Sequence, residues 1–115
     1  MNFLIVDDNP IYLELVAGWM IGSSYTYNLA DSGKQAIELS EKHEYDLVIT
    51  DLFMPNMSGA KLHNIFKSKN IPCIIISAET EYEITLDNIK HKYVKPYDRD
   101  TFWKIIKNVL KREYK

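Results

Sequence analysis

Leu47-Val48-Ile49-Thr50-Asp51-Leu52-Phe53-Met54-Pro55-Asn56-Met57-Ser58-Gly59 is the stretch on which the fold turns. It opens as an apolar run, reaches an aspartate, and breaks into a turn built from proline, asparagine, serine and glycine. A short apolar run that ends in a turn suits a strand covered on both faces. Two other runs read the same way. Phe3-Leu4-Ile5-Val6 ends at Asp7-Asp8, and Cys73-Ile74-Ile75-Ile76 ends at Ser77. Two weaker strands join them: Tyr27-Asn28-Leu29-Ala30, closed by the turn Asp31-Ser32-Gly33, and Tyr93-Val94, which runs into Lys95-Pro96.

Helical periodicity fills the spaces between. Gly33 to Lys42 gathers Ala36, Ile37 and Leu39 on one side, and Ala60 to Lys69 gathers Leu62, Ile65 and Phe66. Asp100 to Lys111 lines up Phe102, Ile106, Val109 and Leu110, with Asp98 or Asp100 as the cap. Lys107, Lys111 and Arg112 near its end suit the negative pole of the helix dipole. The alternation predicts an α/β fold, a doubly wound parallel sheet. Such sheets bind ligands beyond the carboxyl ends of their strands. Asp7, Asp8, Asp51, Ser77 and Lys95 all fall at those ends. Three carboxylates crowded beside one ammonium repel each other unless a divalent cation joins them. The pattern therefore points to metal-assisted phosphoryl chemistry.

The 115 residues fit one domain, 1–115, and 46% apolar content supports a real core. A formal charge of −2 offers no basic field for direct binding of nucleic acid. Cys73 is the sole cysteine and sits in an apolar run, so a buried thiol and a reduced, cytoplasmic setting are expected. No apolar run is long enough to span a membrane. Met1-Asn2-Phe3 leads straight into a strand pattern, so no signal peptide is expected.

Four pieces taken in order resemble the receiver domain of two-component response regulators, of the chemotaxis-regulator kind with a flavodoxin-like fold. They are Leu4-Ile5-Val6-Asp7-Asp8-Asn9, Ile49 to Gly59, Ile76-Ser77-Ala78 and Val94-Lys95-Pro96. The resemblance covers essentially the whole chain. It implies a (βα)5 sheet in the order 2-1-3-4-5. It also implies that Asp51 accepts a phosphoryl group from a histidine kinase or histidine phosphotransfer protein. Mg²⁺ would be held by one of Asp7 and Asp8 directly and the other through water, by Asp51, and by the backbone carbonyl of Phe53. Ser77 and Lys95 would meet the bound phosphoryl group, and Ala78 would leave room for it. The family commonly has a cis peptide before the proline, which makes Lys95-Pro96 the candidate here. The implied output is binding of a downstream protein or onward transfer, with no enzymatic turnover beyond the domain's own phosphorylation and dephosphorylation.

The chain departs from that pattern in places. Ser77 to Lys95 is shorter than usual by roughly one helical turn, ~4 residues. Glu79 to Lys92 contains no glycine or alanine. A short, irregular or displaced fourth helix is expected. Lys92 stands where the family's switch aromatic usually sits, and Tyr93 lies one residue later. Strand alternation makes Tyr93 a core residue with the switch missing, unless a bulge restores it. Phe53 is bulky beside the site and is expected to shield an acyl phosphate from water.

From Pro10 to Gly22 the only charged residue is Glu14, and the apolar residues exceed one buried stripe. Ile11, Leu13, Leu15, Val16, Trp19 and Met20 are therefore expected to include an exposed docking or homodimer surface. His43, His63 and His91 lack metal-ligand spacing and read as surface positions; Trp103 reads as packing or dimer edge. Three alternatives remain: a receiver cut from a longer regulator, a receiver-like interaction module that signals without phosphate, and a multiple-turnover hydrolase. The last lacks a second acid or base near Asp51.

Overall fold

The computed structural model describes residues 1–78 and 89–114. The chain runs β1 (Asn2–Val6), α1 (Pro10–Met20), β2 (Thr26–Ala30), α2 (Gly33–Lys42), β3 (Leu47–Asp51), α3 (Gly59–Ser68), β4 (Cys73–Ser77), β5 (Lys92–Val94) and α4 (Arg99–Glu113). The five strands form one parallel sheet in the order β2-β1-β3-β4-β5. Both the parallel pairing and the expected order are found. Four helices lie among the described residues. The expected irregular helix between Ser77 and Lys95 falls on residues 79–88, outside the described residues.

Strand alternation sorts the core into two layers. Phe3 and Ile5 of β1, Leu47 and Ile49 of β3, and Ile74 and Ile76 of β4 face α1 and α4. Leu4 and Val6, Val48, and Cys73 face the opposite way, toward Leu62 and Phe66 of α3 and Ala36 of α2. Burial on both faces explains why these strands read as continuous apolar runs. The Cys73 thiol is buried, as expected, and burial pushes its pKa far up.

Each helix starts on a polar cap. The side chains of Asn9, Ser32, Ser58 and Asp98 accept from the backbone N–H groups of Ile11, Gln35, Lys61 and Thr101. Pro10 occupies the first turn of α1, where its missing N–H costs nothing. Asp98, rather than Asp100, is the cap of α4.

α1 corrects one expectation. Leu13, Val16, Trp19 and Met20 are buried, and only Ile11 and Leu15 of the expected surface are exposed. The helix has apolar neighbours on several sides: the sheet, plus Phe102 and Trp103 of α4. Trp19 tilts against Phe102 at 5.4 Å, and the Trp103 indole donates to the Trp19 carbonyl at 3.1 Å. Most of the surplus apolar residues thus fill a core, Ile11 and Leu15 remain outward, and Trp103 packs against that core.

Candidate functional site

Strand register brings the site together. Val6 of β1 lies opposite Thr50 of β3, so the residues that follow, Asp7 and Asp51, emerge side by side. Asp51 in turn pairs with Ile76 of β4, one residue before Ser77. Ser77 pairs with Val94, one residue before Lys95. Parallel ladders, stepped forward by one residue at β4 and again at β5, therefore carry Asp7, Asp51, Ser77 and Lys95 to a single edge. The ladder extends one step further: Asp7 N–H donates to the Ala30 carbonyl at 3.1 Å, and Lys95 N–H to the Ser77 carbonyl at 2.9 Å.

Carboxylate oxygens of Asp7, Asp8 and Asp51 all lie within 4.8 Å of one another, the one such acidic or metal-ligating group among the described residues. Asp7 is 1% exposed and Asp51 8%, while Asp8 faces solvent. Lys95 Nζ stands 2.8 Å from Asp7 Oδ2 and 3.7 Å from Asp51 Oδ1. The nearer contact is the one close partner of the buried Asp7 Oδ2 among the described residues. Two unit charges at such separations repel by about 3 kcal/mol at an effective dielectric of ~20. One ammonium cannot neutralise three carboxylates. The set of hard oxygens, two of the three carboxylates being buried, suits a hard divalent cation.

The electrostatics show the same strain. Burial, followed by the Asp7 charge, pushes the Asp51 carboxyl up to about 6, although Lys95 pulls the other way. Burial tends to lower the Lys95 ammonium. The Asp7 contact and the Asp51 charge outweigh it, so its pKa sits above the ordinary value.

The turn after β3 is built for close approach. Gly59 N–H donates to the Leu52 carbonyl at 2.7 Å. A Cβ at Gly59 would overlap the backbone carbonyl of Asp51, so any side chain there displaces the strand end that carries the carboxylate. Asn56 takes the left-handed conformation at φ 69°, which asparagine tolerates. Phe53 projects beside the site, 57% exposed.

Two further expectations are corrected. The described residues contain no cis peptide bond, so Lys95-Pro96 is trans. Trans is the lower-energy form, and here the Lys95 ammonium reaches Asp7 while the Pro96 carbonyl accepts from the Tyr12 hydroxyl at 2.7 Å. His63 and His91 are buried rather than on the surface; His43 is exposed as expected. One ring nitrogen of each finds a partner: His91 Nε2 meets Glu113 at 2.7 Å, and His63 Nδ1 meets Asn64 at 3.3 Å. Tyr93 is half-buried against the α1–α4 core, as strand alternation predicted.

Sequence reasoning passed over Tyr12. Its ring lies 4.3 Å from Lys95 Nζ, and burial, then the Asp7 charge, pushes its hydroxyl pKa well up. The available signal was its place in the first turn of α1, four residues after Asp8.

The family model described as "Response regulator receiver domain" matches residues 3–107. The Arabidopsis thaliana two-component response regulator ARR18 is 30% identical over 121 residues, covering 100% of this chain and 19% of that protein. The signal transduction histidine-protein kinase BarA of Escherichia coli is 32% identical over 82 residues, covering 68% of this chain and 9% of BarA. The chain thus spans less than a fifth of the length of either relative. The response regulator TrrA of Thermotoga maritima, solved in complex with Mg²⁺ and BeF, superposes with a TM-score of 0.83 at 28% identity, covering 95% of this chain and 98% of TrrA.

Proposed function

The chain belongs to the response regulator receiver family, and from that premise we propose that it accepts a phosphoryl group on Asp51. A histidine kinase or histidine phosphotransfer protein is the donor. The observation that carries this reading is the meeting of Asp7, Asp8 and Asp51 oxygens within 4.8 Å, with Lys95 Nζ 3.7 Å from Asp51.

An Asp51 carboxylate oxygen attacks phosphorus in line with the donor's P–N bond. That bond breaks, the imidazole nitrogen keeps the electron pair, and Asp51 holds an acyl phosphate. Asp7 or Asp8, Asp51 and the Phe53 carbonyl are the groups to hold Mg²⁺, which supplies neutralisation of the crowded charge when bound. Lys95 can follow the negative charge from the carboxylate to a phosphoryl oxygen. Ser77, at the end of β4, can present a hydroxyl to the same group, with Ala78 leaving space. The product adds charge and acceptor oxygens to one edge of a single receiver domain, 1–115, and alters which downstream protein it binds. The domain modifies itself and turns over no metabolite. No helix among the described residues is long and apolar enough to cross a membrane, and a cytoplasmic site of action accords with a phosphohistidine donor.

Intact mass after exposure to acetyl phosphate and Mg²⁺ tests the reading. One phosphoryl group should appear on the native chain and none on Asp51→Asn. An unchanged native mass, or equal uptake by the variant, would overturn it.

A further inference from the structure

Lys95 is enclosed from a third side. Besides Asp7 and Asp51, its ammonium meets the face of Tyr12, 4.3 Å from the ring centroid. The ring is 3% exposed and cannot drift. Trp19 packs edge-on against it at 6.2 Å and 88°, and Tyr97 at 5.6 Å and 74°. Its hydroxyl donates to the Pro96 carbonyl at 2.7 Å, on the residue that follows Lys95. One side chain of α1 therefore touches both the charged head of Lys95 and the backbone next to its stem.

We propose that Tyr12 is a positioning residue for Lys95: its ring seats the ammonium between Asp7 and Asp51, and its hydroxyl bond to Pro96 helps hold the ring in place. This rests on the receiver reading and sharpens it. Lysine is a compact charge on a flexible stem, so two acceptors on one side leave its direction undetermined. An aromatic face attracts the cation without adding a formal negative charge to an overcrowded site. It also offers no acceptor strong enough to hold the ammonium back when charge moves from carboxylate to phosphoryl oxygen. A carboxylate in the same place would do both.

The test compares Tyr12→Phe, Tyr12→Leu and Tyr12→Met with the native chain and Asp51→Asn. Two readouts are taken: the initial rate of phosphoryl uptake from acetyl phosphate, and the Lys95 Hε–Cε resonance in lysine-labelled protein. The ring should move that resonance upfield in the native chain and in Tyr12→Phe. The shift should vanish in Tyr12→Leu and Tyr12→Met. Loss of a desolvated cation–ring contact should slow uptake by Tyr12→Leu about three- to thirtyfold. Tyr12→Phe, which keeps the ring, should recover most of the rate. Met fills much of the ring's space, so slow uptake by folded Tyr12→Met separates the electrostatic role from simple packing.

Native rates in the aliphatic variants, or a Lys95 resonance that ignores the ring, would overturn the proposal. So would a Tyr12→Phe protein as slow as Tyr12→Leu. Absence of uptake by the native chain would instead sink the receiver reading, and the resonance would still judge Tyr12 on its own.

Discussion

The two ends of this sheet carry polar clusters of opposite character. At the carboxyl ends, Asp7, Asp8 and Asp51 outnumber Lys95, and burial forces the Asp51 carboxyl up to about 6. At the amino ends of β4 and β5, His63, Lys67, Lys90, His91 and Glu113 line a cleft of about 270 Å³. There the charges answer one another. Glu113 accepts from His91 Nε2 at 2.7 Å and from Lys90 Nζ at 3.1 Å. The His91 hydrogen bond holds the Glu113 carboxyl below the usual range. One cluster is strained and the other is settled. In parallel α/β sheets the carboxyl edge is where ligands act, so stored electrostatic cost belongs there. The same change, removal of a negative charge, should consequently have opposite signs at the two ends.

The largest effect is expected at Asp51. Its folded pKa is about 6 against an ordinary 3.8, so the folded state holds its proton more tightly than the unfolded one. The associated stability is fully present below the unfolded pKa and lost as pH rises through about 6. At pH 7 without metal, Asp51→Asn should therefore be more stable than the native chain, by at most about 3 kcal/mol at 1.36 kcal/mol per pKa unit. Below about pH 4 the two should converge. Urea unfolding with a chelator at both pH values checks this. Equal stability at pH 7 would show that the cluster is not strained. Magnesium should reverse the order. At about a hundred times its dissociation constant it adds about 2.7 kcal/mol to a fold that binds it, and little to Asp51→Asn.

At the amino end the sign changes. Glu113→Ala removes the acceptor of His91, which is 3% exposed and whose Nδ1 already lacks a partner. A buried polar group stripped of its partner costs about 1–3 kcal/mol. Because Glu113 is itself only partly covered, a loss near the lower figure is expected. The Glu113 pKa is depressed in the folded state, so its contribution is present above its unfolded pKa and lost as pH falls through the folded one. Native and variant stabilities should approach each other in acid. Phosphoryl uptake should not change. A gain in stability, as at Asp51, would erase the distinction between the two ends.

Much of this contrast was legible in the sequence at one end only. Asp7, Asp51, Ser77 and Lys95 each follow an apolar run. Unbroken runs of similar length in a parallel sheet leave little room for their ends to miss one another. The amino end gave no such signal. Glu113 and His91 are 22 positions apart and meet only because α4 runs back along the sheet. A lone histidine reads as surface until its partner is known. α1 misled for a related reason. Its apolar surplus is real, but the residues that absorb most of it, Phe102 and Trp103, lie in a helix at the far end of the chain. Tyr12 was hidden by the same surplus, because an aromatic among aliphatic neighbours reads as core. It is core by burial, and its face also meets the Lys95 ammonium.

Phe53 gives the smallest expected effect and tests the carboxyl edge most finely. It lies two residues after Asp51 and remains mostly exposed, so its ring contributes little to packing. Removing it should move stability by less than about 0.5 kcal/mol. If it earns its place through chemistry, the consequence lies in the phosphoform. Hydrolysis of an acyl phosphate needs water in line with the bond to Asp51, and a bulky apolar ring at the rim obstructs that approach. Asparagine is smaller and can hydrogen-bond the incoming water. Phe53→Asn should accordingly shorten the lifetime of the phosphoform about two- to tenfold, a barrier change of about 0.4–1.4 kcal/mol. Following decay of the phosphorylated mass after acetyl phosphate is removed measures it. Identical decay in the two proteins would leave the ring as an exposed apolar residue without kinetic consequence, and would confine the functional strain of this edge to the charges themselves.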